Sequence, residues 1–158
     1  ELEARGLRFA YRSELSANIR HNDGELDCLL VNTTGELKYF YEQATVIFVG
    51  KSLTAEGGQN PIEPGALGKA MVFGPNMQNF SDAVRSFVAQ DAAVQVRNAA
   101  ELESAVAQLL SDAARRDQLG RNAVKVVREN LGAVERTVDM IVERLRREGF
   151  YVSPPRGT

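Results

Sequence analysis

The sequence predicts an α/β fold in which a parallel sheet is covered by helices on both faces. Short apolar runs alternate along the chain with longer segments in which apolar residues recur at helical spacing. The runs are apolar at consecutive positions, which is typical of strands buried on both faces of a parallel sheet. Glycine or proline follows the clearest runs, at Gly50 and at Gly74-Pro75, so each of them is expected to end in a turn.

Five strands and several helices follow from these patterns. Strands are predicted over 7–11, 27–31, 45–49, 70–73 and 93–96, and the third is the clearest because it is rich in β-branched residues. Helices are predicted over 35–44, 60–67, 80–90, 99–110, 112–131 and 132–148. Residues 13–24 and 50–59 are predicted loops. The first six residues indicate the end of a helix that Gly6 closes.

The composition is that of a globular domain. The chain has 158 residues, of which 44% are hydrophobic and 25% charged, which suffices for one core. It does not begin with methionine, so we expect a domain over 1–150, truncated at its N-terminal edge and followed by a loose tail over 151–158. The net charge of −2 argues against nucleic acid as a partner.

Neither the cysteine nor the hydropathy suggests an exported or membrane-spanning chain. Cys28 is the only cysteine, so no disulfide can form within the chain, and its apolar surroundings predict a buried strand residue. We expect no signal peptide, and no stretch approaches the ~20 apolar residues of a membrane span. These features favour a reducing, cytoplasmic setting.

Ligands of open α/β sheets bind at the carboxyl ends of the strands, where three segments carry polar residues. In the first, Thr33-Thr34-Gly35-Glu36 leads from a strand into a helix, whose backbone amides and dipole favour a phosphate. The residues alone favour a structural alternative, in which Thr33 or Thr34 caps the helix and Glu36 complements its dipole.

The second segment leaves the third strand and enters a short helix. Asn60 suits the N-cap, Pro61 the first helical position and Glu63 the third, which together make a capping box. The Glu63 carboxylate could also accept hydrogen bonds from ribose hydroxyls. The capping box gives no reason to invoke a ligand, but Gly57-Gly58 does, because glycine lets backbone come close to a bound group.

In the third segment, Gly74-Pro75 makes a turn and the amides of Asn76, Gln78 and Asn79 are expected at the same edge. Asn79 is alternatively the N-cap of the next helix.

Near the C-terminus, the charges over 143–148 have mixed sign, which is typical of a solvated face. A membrane-surface role for Arg144, Arg146 and Arg147 is the alternative.

Several catalytic classes are disfavoured. Gly50-Lys51-Ser52 lacks the upstream glycine of a P-loop, and the chain has no G-x-G-x-x-G. His21 is the only histidine and lies in a polar loop, so it is expected at the surface, and no catalytic triad can be assembled. No cluster has metal-ligand spacing, and no metal is expected.

Taken in order, the motifs resemble those of the 3-deoxy-D-manno-octulosonic acid (Kdo) transferases of lipopolysaccharide synthesis. That family has Asp-Thr-Met-Gly-Glu-Leu, Gly-Gly-Ser-Leu, Gly-Gly-His-Asn-Pro-Leu-Glu-Pro, Gly-Lys-Pro-Val, Phe-Gly-Pro-His and Asn-Phe. The corresponding segments here are 32–37, 50–53, 57–64, 68–71, 73–76 and 79–80, and 132–137 matches a later pattern. The resemblance covers residues 1 to about 145. Lys51 stands in place of a family glycine, and Gln59 and Asn76 in place of histidines.

The resemblance implies the GT-B fold, with two Rossmann-like domains facing across a cleft. This chain would be the C-terminal, donor-binding domain, and the donor would be CMP-Kdo, with no cofactor and no metal. The residues implied to contact the donor are Thr34, Gly35, Glu36, Asn60, Pro61, Ile62 and Glu63. Further candidate contacts come from the loop over 50–59, called the donor loop below, and from the third segment. They are Ser52, Gly57, Gly58, Gln59 and Asn79.

The resemblance also implies what the rest of the enzyme does. The general base would be a glutamate of an N-terminal domain, which would also bind the acceptor, a lipid A precursor. A basic Pro-Arg-His segment would precede Glu1. No catalytic residue is then expected in this chain, which alone would be soluble and inactive. The full-length enzyme would contact the cytoplasmic face of the bacterial inner membrane. Two alternatives stay open: a GT-B domain for another donor, such as a UDP-sugar, and a non-catalytic nucleotide-binding or interaction domain.

Overall fold

The computed structural model describes residues 1–15, 24–130 and 133–149. The chain divides into two compact units, Glu1–Ala44 and Thr45–Thr158. The predicted α/β class is confirmed, since both units contain parallel strands and helices, and in the second unit the strands alternate with helices. The strands form two separate parallel sheets rather than the one expected. The domain predicted over 1–150 stays a prediction.

The first unit is built on a two-stranded parallel sheet. Strand β1 (Phe9–Tyr11) pairs with β2 (Cys28–Leu30), and Phe9 lies opposite Cys28. A 3-10 turn (Arg12–Glu14) follows β1, and helix α1 (Leu37–Gln43) follows β2. The helical turn expected at the start is confirmed as Glu3–Arg5, closed by Gly6 with φ 68°. Cys28 is half-buried rather than buried, because this sheet has only two strands.

The second unit contains a three-stranded parallel sheet in the order β3-β4-β5. Its strands are β3 (Ile47–Phe48), β4 (Met71–Phe73) and β5 (Val94–Gln95). Its helices are α2 (Ile62–Ala66), α3 (Ser81–Ala89), α4 (Ala99–Ser111), α5 (Ala113–Asn130) and α6 (Ala133–Arg147). All these elements lie within or close to their predicted ranges.

The core of this unit surrounds the central strand. All three residues of β4 are inaccessible to solvent, and Val72 packs in a cluster with Leu109 of α4 and Leu119 of α5. The expectation that every strand is buried on both faces is wrong. Phe48 of β3 is 41% exposed, because β3 and β5 are edge strands and only β4 has a neighbour on each side.

Helix α6 is amphipathic, and charged pairs lie along it. Arg144 donates to Glu148 at 2.7 Å and Arg147 donates to Glu143 at 3.1 Å, as expected of a solvated face with mixed charges.

In the described parts of the chain, no helix combines the length and the apolar character that crossing a bilayer requires. The expectations for His21, for the tail over 151–158 and for the start of the 132–137 motif lie outside the described residues.

Candidate functional site

The carboxyl end of the β1–β2 sheet brings together two segments that are distant in sequence. Because the strands are parallel and in register, the residues after β1 and those after β2 emerge at the same end. Asn32 joins them: its Oδ1 accepts from the Ser13 backbone N–H at 3.1 Å, and its Nδ2 donates to the Ser13 hydroxyl at 2.8 Å. This contact fixes the geometry of the edge that carries Thr34, Gly35 and Glu36.

Glu36 is held at this edge by two side chains. Its Oε1 accepts a hydrogen bond from Arg12 Nη2 at 2.7 Å, and its Oε2 accepts one from the Thr33 hydroxyl. The Thr33 hydroxyl and the Arg12 guanidinium lower the pKa of Glu36, so the carboxylate is ionised at neutral pH. Both side chains of the ion pair keep about a third of their surface exposed, 34% for Arg12 and 31% for Glu36.

The cap predicted for α1 is wrong. Helix α1 begins at Leu37, so Glu36 rather than a threonine occupies the N-cap position, and no side chain caps this helix end. The Thr33 hydroxyl donates to Glu36 instead of accepting from the backbone, while Thr34 is exposed. Gly35 turns the chain into the helix with φ 84°, a conformation that glycine adopts without strain.

In the second unit, a buried serine ties the end of β3 to the end of β4. The Ser52 hydroxyl donates to the Val49 carbonyl at 2.6 Å and accepts from the Gly74 N–H at 2.9 Å. The residue is fully buried. The hydroxyl therefore has a structural role in holding the two strand ends, and the donor contact of Ser52 stays a prediction.

The glycine pair of the donor loop has a structural cause that sequence reasoning missed. Gly57 and Gly58 have φ of 98° and 65°. A β-carbon would lie 2.7 Å from Asn79 Nδ2 at the first position and 2.3 Å from Met77 Sδ at the second. The positive φ values and the close approach to residues 76–79 both disfavour a side chain at these two positions. The interpretation that these glycines also let the backbone come close to a bound group stays a prediction.

The amides of the third segment hold the loop. Gln78 Oε1 accepts from the Gly57 N–H at 2.9 Å, and Asn76 Nδ2 donates to the Leu53 carbonyl at 3.2 Å. The prediction of Asn79 as an N-cap is wrong, because α3 begins at Ser81, with Phe80 at the N-cap position. The backbone N–H of Asn79 instead donates to the Gly57 carbonyl at 3.3 Å.

The segment at the start of α2 presents a carboxylate supported by an amide. The prediction of Asn60 as the N-cap is wrong, because α2 begins at Ile62 and Pro61 occupies the N-cap position, although Asn60 Oδ1 does accept from the Ile62 N–H at 2.9 Å. The other half of the capping box differs, since Glu63 Oε1 accepts from the Asn60 side chain at 3.0 Å and not from its backbone. Pro61 is buried, whereas Ile62 and Glu63 are exposed. Gln59 is also exposed, and its N–H donates to the Gly50 carbonyl at 3.1 Å.

The predicted donor contacts thus form two groups. The first unit carries Thr34, Gly35 and Glu36, and the second carries Ser52, Gly57, Gly58, Gln59, Asn60, Pro61, Ile62, Glu63 and Asn79. Sequence reasoning missed Arg12 and Ser13, and it placed Asn76 and Gln78 at the carboxyl ends of the strands without assigning them the role of holding the loop. A charged residue directly after β1 was the available signal for Arg12.

Within 1–15, 24–130 and 133–149, no three His, Cys, Asp or Glu residues group as a metal site would, and metal independence stays a prediction.

Residues 10–126 match the family described as glycosyl transferases group 1. The chain therefore belongs to that family. It is 36% identical over 145 residues to the 3-deoxy-D-manno-octulosonic acid transferase of Bordetella pertussis, covering 92% of this chain and 33% of the relative. The transferase of the same name from Haemophilus influenzae is 34% identical over 135 residues, with 82% and 32% covered. The chain thus spans about a third of the length of these relatives.

A solved structure supports the same relationship. The fold is similar to the crystal structure of the C-terminal CMP-Kdo binding domain of WaaA from Acinetobacter baumannii, with a TM-score of 0.70 and 28% sequence identity. The match covers 80% of this chain and 64% of that one. Together with the relatives, it confirms the resemblance to Kdo transferases that the motifs predicted.

Proposed function

We propose that this chain is the donor-binding domain of a glycosyltransferase that transfers Kdo from CMP-Kdo to a lipid A precursor. The observation that carries the proposal is the likeness, in fold and in sequence, to a domain described as binding CMP-Kdo. The relatives named as Kdo transferases support the same reaction. Both groups of predicted contacts follow strands of parallel sheets, where nucleotides bind in α/β folds.

Within this proposal, the residues take distinct roles. Thr34, Gly35 and Glu36 contact the CMP part of the donor, as do the residues from Asn60 to Glu63. Glu63 accepts from the ribose hydroxyls, because it is an exposed carboxylate that Asn60 holds by one oxygen. Ser52, Gly57, Gly58, Gln59 and Asn79 are the further candidate contacts of the donor loop.

The chemical step is proposed to depend on a second domain. That domain would supply the glutamate that acts as general base and would bind the lipid A precursor at the cytoplasmic face of the inner membrane. Transfer would invert the anomeric centre and need no metal. This chain alone would therefore bind the donor without turning it over, and a metal-independent Kdo transfer by the purified chain would contradict that part of the proposal.

The role of Glu63 can be tested by calorimetric titration of CMP into the wild-type chain and into Glu63→Ala. Loss of one hydrogen-bonding carboxylate should weaken CMP binding by about tenfold. Glu103→Ala is the matched control, because Glu103 is an exposed carboxylate on α4. Equal affinities for wild type and Glu63→Ala would remove Glu63 from the site. A preference for UMP over CMP would favour a UDP-sugar donor instead.

A further inference from the structure

We infer that Arg12 is a positioning residue of the donor site, which holds the Glu36 carboxylate in place and balances its charge beside an anionic nucleotide. The inference rests on the proposed function, because it assumes that Glu36 contacts the donor. Neither the sequence motifs nor the comparisons assign any role to Arg12. The geometry at the end of the β1–β2 sheet points to it.

Arg12 is itself fixed by two contacts from one guanidinium. Its Nη2 donates to Glu36 Oε1 at 2.7 Å, and its Nη1 donates to the Leu15 carbonyl at 3.2 Å. The second contact joins residues three apart, so the guanidinium is held close to its own turn after β1. Glu36, which lies 24 residues later in the chain, is held from the other side by the Thr33 hydroxyl. The two contacts therefore orient the carboxylate in the absence of a ligand.

The charge of the nucleotide explains why an ion pair between Arg12 and Glu36 is useful at this position. A nucleotide monophosphate is anionic, and an unpaired carboxylate at its binding edge would repel it. With Arg12 paired to Glu36, the two charges sum to zero, and the carboxylate still offers acceptor lone pairs to hydroxyl or amino groups. Both side chains are partly buried, so solvent screens this pair less than it screens a fully exposed one.

A second ion pair in the same unit lies away from the proposed ligand edge and provides a structural comparison. Arg8 and Asp27 precede β1 and β2, at the opposite end of the sheet from Arg12 and Glu36. Arg8 donates to both carboxylate oxygens of Asp27, at 3.0 Å and 2.9 Å. Like the Arg12 pair, this pair joins a residue next to β1 to a residue in the segment around β2, but it lies away from the proposed ligand edge. Arg8→Met is therefore the matched control for Arg12→Met.

The test is a double-mutant cycle of CMP affinity, measured by calorimetry on wild type, Arg12→Met, Glu36→Gln and the double variant. Arg12→Met should weaken CMP binding by about tenfold, and the same change in the Glu36→Gln background should have little effect, since Arg12 acts through Glu36. Arg12→Lys should recover part of the affinity, and Arg8→Met should leave it unchanged. In carboxyl-detected NMR, the pKa of Glu36 should rise in Arg12→Met.

Each outcome bears on a defined part of the account. If Glu36→Gln weakens binding and Arg12→Met does not, the positioning role is overturned while the donor site stands. If Arg12→Met weakens binding equally in both backgrounds, Arg12 acts independently of Glu36, and the positioning role is again overturned. If the wild-type chain binds no CMP, the proposed function itself fails and takes the role of Arg12 with it.

Discussion

At the residue scale, three carboxylates of this chain differ in the groups that donate hydrogen bonds to them. Asp27 is held by a guanidinium and by a backbone N–H, Glu36 by a guanidinium and a hydroxyl, and Glu63 by an amide. The bond between Asn60 and Glu63 could be predicted in part, because the two residues are close in sequence. The bond between Arg12 and Glu36 could not, because it depends on the register of two strands that are distant in sequence.

The Asp27 pair makes stability depend on pH. Hydrogen bonds from Arg8 lower the pKa of Asp27 from its usual 3.8 to about 2. A depressed pKa in the folded state means that the unfolded chain binds more protons, so this contribution is present above pH 4 and is lost as the pH falls toward 2. We expect chemical unfolding to show Arg8→Met less stable than wild type at pH 7. The difference should shrink between about pH 4 and 2. A difference that does not vary with pH would contradict this role of the pair.

At the element scale, the loop between β3 and α2 is held as a unit by the residues after β4. The sequence shows the glycine pair Gly57-Gly58, which favours close approach of a bound group, but it does not show the packing of this pair on other residues. The close approach to Met77 and Asn79 could not be read from the sequence, because it arises between segments about 20 residues apart, as in the 21-residue separation of Gly57 and Gln78. Strand β4 and helices α3 to α5 were predictable, since burial and periodicity within each segment specify them.

Gly58→Ala tests the packing of the donor loop. The new β-carbon would meet Met77 Sδ and approach the Asn76 carbonyl at 3.2 Å, so we expect a loss of about 1–3 kcal/mol in the free energy of unfolding. Gly6→Ala is the control, because Gly6 has a similar φ of 68° but nothing within 4 Å of the added carbon. Thermal or chemical unfolding of both variants separates the contact from the backbone strain. Equal losses would show that the contact does not matter.

Gly120→Ala tests how α5 packs on the turn after α2. Alanine is the better helix former by about 1 kcal/mol, so propensity alone predicts that the variant is more stable. The added carbon would lie 2.1 Å from the Gly68 carbonyl oxygen, a backbone atom that can move only with its chain. We therefore expect net destabilisation in chemical unfolding, together with amide shift changes at Gly68. A stabilised variant would mean that the two elements are more loosely packed.

At the scale of the whole molecule, family membership and the proposed donor come from motifs in order along the chain, not from any single one. The two separate sheets were not predicted, because alternating strands and helices specify the class of fold but not which strands pair.

Metal independence also belongs to this scale. Within the described ranges, no acidic or histidine cluster is placed to hold an ion, and the proposed site neutralises charge with Arg12 instead. We expect CMP affinity to be the same with EDTA and with millimolar Mg²⁺, measured by calorimetry in one buffer. A marked gain in affinity with Mg²⁺ would show that the metal takes part in donor binding.

The central claim is that this chain binds the CMP part of a CMP-sugar, and amide NMR tests it most directly. Titration with CMP should shift the amides of Gly35, Glu36, Gln59, Ile62 and Glu63, with weaker and fewer shifts from UMP at equal concentration. Such a pattern would support the predicted contacts of each unit and show the base preference. Equal responses to UMP, or shifts confined to α4 and α5, would contradict the account.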